Sequence, residues 1–206
     1  MIRLTGDQGD AICELFNMAV GKAANSLSMM MNNPVQLSVP SVDIVSLTTL
    51  GGQIDDLAGS EVSGVIQGFD GKFEGSILVV FPETKSLELV RMLLSDEVPL
   101  DVMSEMEQEA MTEVGNVLLN ACLGTIADIL GEQIKGEVPS FVHGSREAIL
   151  NTGNPEQAQE NYGMFVRIGF SVGSDDVAGY VVLVLEMSSM KQFIGMIDDF
   201  VASLDG

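Results

Sequence analysis

Tryptophan is absent, tyrosine occurs twice, histidine once, and lysine and arginine together number nine among 206 residues. Nine cations against thirty acids give a net charge of −21. That argues against a nucleic-acid binder, whose affinity rests on clustered Lys and Arg, and against docking on an anionic membrane. The acidity itself reads as solubility. Cys13 and Cys122 have no zinc-type spacing and fall in helical patterns, so they are expected to be reduced core thiols. No uncharged apolar run reaches membrane-spanning length. No basic segment leads into an apolar one at the N-terminus, so no signal peptide is expected and a cytoplasmic location is the default. The single histidine, His143, lies in a strand pattern and reads as structural, which leaves a nucleophilic triad hard to build. No Gly-rich phosphate loop, Pro-rich linker or low-complexity tract occurs. The polar stretch from Asn151 to Asn161 reads as an exposed loop. The thirteen methionines read as core filler, the run Met29 to Met31 included.

What is present is one sparse motif, written twice. Asp10, Glu14, Asn17 and Pro40 recur 99 positions later as Glu109, Glu113, Asn116 and Pro139, with 22 residues between Asn and Pro in both copies. Thr5 and Gln8 form a capping box that Ser104 and Glu107 repeat. Later matches drift: Val65, Gly68 and Phe69 match Val166, Gly169 and Phe170 at an offset of 101, and Gly75 onward matches Gly179 onward at 104. The chain therefore reads as one pseudo-symmetric domain spanning 1–206, with repeat one at about 1–98 and repeat two at about 99–206.

Successive helical residues turn by about 100°. Asp10, Glu14, Asn17 and Gly21 thus share one narrow arc of a helix from about Asp7 to Met31. Ile12, Phe16, Ala19, Ala23, Leu27 and Met30 lie opposite, forming the core face. In the second copy Glu109, Glu113, Asn116 and Asn120 line one side, and Met111, Leu118, Cys122, Ile126 and Ile129 the other. Gly115 stands where Phe16 stands in the first copy, so the core there must be filled from elsewhere. Both polar stripes are expected to face solvent. Three strands follow each helix, near Gln36–Leu47, Val62–Phe69 and Lys72–Phe81, then Ile134–His143, Tyr162–Phe170 and Val177–Glu186. Asp70-Gly71 and Gly173 to Asp176 read as hairpin turns. Pro40 and Pro139 fall early in the first strand of each half, where proline requires an edge or a bulge. Helices near Glu83–Leu94 and Ser188–Leu204 close the halves. Helix, three strands and helix, repeated, predicts an internally duplicated α+β fold with pseudo-two-fold symmetry and mainly antiparallel strands.

Paired carboxylates invite a glycosidase or a metal site. The acids here share an exposed arc without the apolar, aromatic cleft that a glycosidase needs. Asp10 and Glu14 lack a companion His and a loop of oxygens, so no metal of the protein's own is expected. What remains is an exposed amide flanked by acids. A carboxamide is a poor acid or base but can hold a water. In phosphoryl transfer, orienting that water is a large part of catalysis. Such a helix could complete the active site of a partner that already carries phosphate and metal, with the adjacent Glu pairing a basic group there.

At these residues the sequence resembles the CheC/CheX/FliY family of chemotaxis phosphatases, whose pattern is Asp or Ser, three residues, Glu, two residues, Asn, 22 residues, Pro. The first copy fits throughout, and the second departs only at Glu109. The resemblance covers essentially the whole chain, and two motifs with this length look most like the CheC branch. It implies hydrolysis of the phosphoaspartate of a CheY-like response regulator. Asn17 and Asn116 would orient the water, Glu14 and Glu113 would pair with the regulator's Lys, and Asp10, Pro40, Glu109 and Pro139 would support the motif. The Mg²⁺ would belong to the regulator. Some members also bind the deamidase CheD, a second partner that the resemblance allows. The alternative is a scaffold that holds a regulator or CheD without turnover; a flagellar-switch role lacks the additional domain of FliY.

Overall fold

The structure, a computed structural model, describes residues 3–47, 61–94, 104–145, 148–149, 161–172 and 175–204. Helix α1 (Gly6–Met31) leads into β1 (Val35–Ser46), β2 (Glu61–Gly71), β3 (Gly75–Pro82) and α2 (Glu83–Leu94). Helix α3 (Glu105–Leu130) leads into β4 (Ile134–Gly136), β5 (Ser140–Ser145), β6 (Asn161–Val172), β7 (Asp175–Glu186) and α4 (Met187–Leu204). Capping starts both long helices. The Thr5 N–H donates to Gln8 Oε1 at 2.8 Å and the Gln8 N–H to Thr5 Oγ1 at 3.3 Å. The Ser104 N–H donates to the carboxylate of Glu107, which is buried. Left-handed residues end them, Asn32 at φ +49° and Gly131 at φ +64°.

One antiparallel sheet runs β1-β6-β7-β3-β2, with β4 and β5 end to end along the outer edge of β2. The two-fold relation passes between the central strands β3 and β7. Each repeat lends its first strand to the other: β1 pairs with β6, and β5 with β2. The register reproduces the sequence offsets, because Val42 faces Val166 just as Phe141, its match at 99, faces Val65. For the third strands the ladder equates Val79, opposite Val65, with Val181, opposite Val166. That is an offset of 102, two less than the sequence match suggested.

Ile77, Val79 and Phe81 of β3 and Val181, Leu183 and Leu185 of β7 face the helices, packed with Ile12 and Phe16 of α1 and Leu118 and Ile126 of α3. The intervening Leu78, Val80, Val182 and Val184 are buried with Phe165 on the opposite face. Burial on both faces is why these strands read as unbroken apolar runs. Helix α3 is long and apolar enough to cross a membrane. Burial of Met111, Val114, Leu118, Leu119, Cys122 and Ile126 accounts for that composition.

Several expectations need correction. Asp70 and Gly71 are not the hairpin turn: β2 continues through them because they pair with Lys135 and Ile134 of β4. The strand expected at Ile134–His143 is broken in two by residues 137–139, where Pro139 removes a ladder donor. Met30 and Met29 are exposed, as are Met18 and Met106, so methionine is core filler only in part, at Met111, Met164, Met190 and Met196. The Asn151–Asn161 stretch, apart from Asn161 at the head of β6, and Gly173-Ser174 lie outside the described residues.

Gly115 is one place where the halves diverge in the core. A Cβ there would lie 2.4 Å from Val65 Cβ, so the Val65 side chain fills the space that Phe16 fills in the other repeat. Gly115→Ala is expected to destabilise the fold by about 1–3 kcal/mol through overpacking. Gly21, with nothing within 4 Å of its Cβ position, is expected to tolerate Ala with a gain of up to about 1 kcal/mol. Urea denaturation of the two variants checks both signs.

Candidate functional site

The two stripes emerge as expected on the outward faces of α1 and α3. Asp10, Glu14, Asn17 and Gly21 are exposed along α1; Glu109, Glu113 and Asn120 are exposed and Asn116 half-buried along α3. The relation between Asn and Pro also acquires a mechanism. Between Ser38 and Ser41 the β1–β6 register shifts, so that Val39 and Pro40 together oppose Ile168. Pro40 has no N–H for the ladder, and the strand bulges on the sheet edge. The Val39 N–H then turns to α1 and donates to Asn17 Oδ1 at 3.0 Å. The motif proline thus serves the motif asparagine through the residue before it.

The second site is built differently. Val138, the counterpart of Val39, is 89% exposed where Val39 is 6% exposed. An open cleft of about 390 Å³ separates the Val138-Pro139 segment from Glu113, Asn116 and Asn120. Here Asn116 Oδ1 accepts from Asn120 Nδ2 at 2.6 Å. Asn120 Oδ1 accepts from Gln67 Nε2 at 3.2 Å, and that nitrogen also donates to the Glu137 carbonyl at 2.8 Å. Sequence reasoning placed Asn120 on the stripe without a role and missed Gln67 altogether. A signal existed: Gln67 alternates with Val65 and Phe69 and so falls on the core face of β2, where a polar residue needs a reason.

Among the described residues, the stripe acids join no cluster of three metal-ligating side chains. One such group occurs elsewhere: Glu61, Glu83 and His143 bring donor atoms within 4.8 Å of one another. His143 is held across the ladder, Nδ1 to Ser63 Oγ at 2.9 Å and Nε2 to Glu61 Oε2 at 3.1 Å. The corresponding pair in the other repeat, Ile44 opposite Met164, is apolar. The exposed ion pair Lys22–Asp128, at 3.5 Å, links α1 and α3 and adds little stability.

Both cysteines are free. Burial pushes the Cys122 thiol up to about 12. The Cys13 thiol is raised by burial and then by the negative charges of Asp10 and Asp43. A raised thiol holds less thiolate at neutral pH. In the folded protein Cys122 is therefore expected to resist an aromatic disulfide reagent until the chain unfolds. Cys13 should react more slowly than a free thiol and faster as pH rises. Absorbance kinetics with and without denaturant measure both.

The architecture is shared with known proteins. The crystal structure of Thermotoga maritima FliY superposes with a TM-score of 0.77 at 20% identity, covering 97% of this chain and 100% of that one. The FliM middle domain of H. pylori superposes at 0.64 with 11% identity, covering 94% and 99%. These define the class of duplicated α+β domain. Residues 62–159 match the family described as "Chemotaxis phosphatase CheX", a span that includes the whole second motif. The CheY-P phosphatase CheC of Bacillus subtilis is 23% identical over 158 residues, 74% of each chain. The family match, the CheC relative and the superposition on FliY together support the CheC/CheX/FliY family for this chain.

Proposed function

We propose that the protein is a cytoplasmic hydrolase that removes the phosphoryl group from the phosphoaspartate of a CheY-like receiver domain. The observation that carries this reading is the motif asparagine of each repeat. Asn17 and Asn116 each sit on an accessible helix face beside a glutamate, and each has its side-chain oxygen held from within the protein. An amide so fixed loses little freedom when it meets a water, which is what orientation in a transition state requires. On docking, Glu14 and Glu113 pair with the receiver's basic group. Asn17 and Asn116 hold the attacking water in line with the phosphoryl group. Asp10 and Glu109 add charge one turn earlier, and Pro40 and Pro139 shape the adjoining strands. The Mg²⁺ that neutralises the phosphoryl charge comes with the receiver, and the protein needs no cofactor of its own. The B. subtilis relative bears the name CheY-P phosphatase, which supports the same reaction class. CheD is a second candidate partner.

The test is phosphate release from a panel of phosphorylated receiver domains with Mg²⁺. Catalytic acceleration of at least one receiver at substoichiometric protein is expected. Tight binding to receivers with no acceleration of any would overturn the catalytic reading in favour of a scaffold.

A further inference from the structure

We infer that Gln67 and Asn120 form a positioning relay that sets which way the Asn116 amide faces, an inference that rests on the proposed phosphatase reading. The polarity of the relay is fixed at one end by chemistry alone. The Glu137 carbonyl can only accept, so Gln67 must turn its nitrogen toward it, at 2.8 Å. The same nitrogen then requires an oxygen of Asn120, which it reaches at 3.2 Å. With its oxygen so committed, Asn120 turns its nitrogen to Asn116, whose oxygen accepts at 2.6 Å. Each amide constrains the next, and Asn116 is left with Nδ2 leading outward as a donor. A water that accepts from Nδ2 keeps a second lone pair for attack on phosphorus. Reversal of Asn116 alone would set two nitrogens face to face without an acceptor.

The starting carbonyl is supplied by the break at residues 137–139, so in the second repeat too the motif proline acts on the motif asparagine, over a longer path. The first site, around Asn17, has neither relay residue. Gly21 occupies the place of Asn120, and Ile168, fully buried, the place of Gln67. There the Val39 N–H captures Asn17 Oδ1 directly. Two unlike constructions thus impose one orientation, with the asparagine oxygen held by a donor of the protein itself in both.

Gln67 is not the residue that packing alone would favour. It is 2% exposed, and its Oε1 is buried with no hydrogen-bond partner among the described residues. A buried polar atom left unpaired weakens a fold, and the other repeat fills the site with isoleucine. The relay supplies the reason for the amide: stability is given up at Gln67 to orient Asn116.

The test uses the full chain carrying Asn17→Ala, so that turnover reports the second site, with kcat and KM measured on a phosphorylated receiver domain. Asn120→Asp is nearly isosteric and exposed, but its carboxylate accepts from both Gln67 and Asn116 and so reverses the Asn116 amide. A fall in kcat of about tenfold or more is expected, with KM within twofold, because water orientation belongs to the transition state. Gln67→Ile, the residue of the other repeat, is expected to lower kcat similarly while Tm holds or rises. A purely structural role for Gln67 predicts the opposite pairing, a lower Tm with kcat intact. Unchanged kcat in Asn120→Asp overturns the relay. So does an inactive Asn17→Ala parent, since the second site would then perform no turnover. In that case Asn116→Ala on its own, retaining activity through Asn17, would show that the phosphatase reading survives. Loss of the relay and loss of the proposed function are therefore separable outcomes.

Discussion

Replacing Asn17 and Asn116 together with alanine is expected to return dephosphorylation of the receiver to its unassisted rate, with receiver binding little changed. Both side chains stand at the surface, Asn17 exposed and Asn116 half-buried, so the double variant should fold. On the proposed mechanism each amide contributes chiefly when the attacking water is fixed, which puts the loss in kcat. Removing one preorganised hydrogen-bonding group of this kind costs about 10²–10³-fold in other enzymes. Glu14→Ala with Glu113→Ala should behave differently and raise KM, because the proposed ion pair to the partner would form on association. Asn17→Ala alone should retain partial activity through the second site. Initial rates across receiver concentrations separate these cases. Full activity in the double asparagine variant would remove the catalytic assignment and leave a scaffold.

The parts of this arrangement that were legible in the sequence are those governed by local periodicity. The wheel of α1 separated Glu14 and Asn17 from Ile12, Phe16 and Ala19, and burial follows that division. The offsets of 99 and 101 reappear in which residues face each other across the β1–β6 and β2–β5 ladders. What periodicity could not supply was partnership. Asp70-Gly71 has turn chemistry, yet β4 captures it as strand because it lies where β2 extends past its hairpin. The Met29–Met31 run is apolar, yet it falls at the C-terminal end of α1, where Met29 is 85% exposed. The motif proline was visible, but its purpose was not: it frees a backbone donor that reaches a residue 22 positions earlier, a contact set by the bulge and the packing of α1 on β1. The second site's relay spans β2, α3 and the 137–139 break, and only the fold brings those three together.

A chain divided between residues 98 and 99 should lose its fold in both pieces and regain it when the pieces are combined. The reason is the strand exchange. In the isolated first repeat β1 has no β6, β2 has neither β4 nor β5, and β3 has no β7. Among the described residues, the one ladder wholly within that repeat is the β2–β3 hairpin, and in the second repeat it is β6–β7. A lone two-stranded hairpin is marginal in water. The helices fare no better, since α1 packs on α3 across the repeats, and the core joins Phe16 of one to Leu118 and Phe193 of the other. Each fragment alone is expected to lack a cooperative thermal transition and to expose apolar surface. Co-expressed fragments are expected to purify together and to melt cooperatively, because the cut removes connectivity but none of the ladders. Circular dichroism and size-exclusion chromatography of the three preparations decide the matter. A first-repeat fragment that melts cooperatively on its own would mean that the repeats are separate domains, each holding its own site, and would overturn the single shared body.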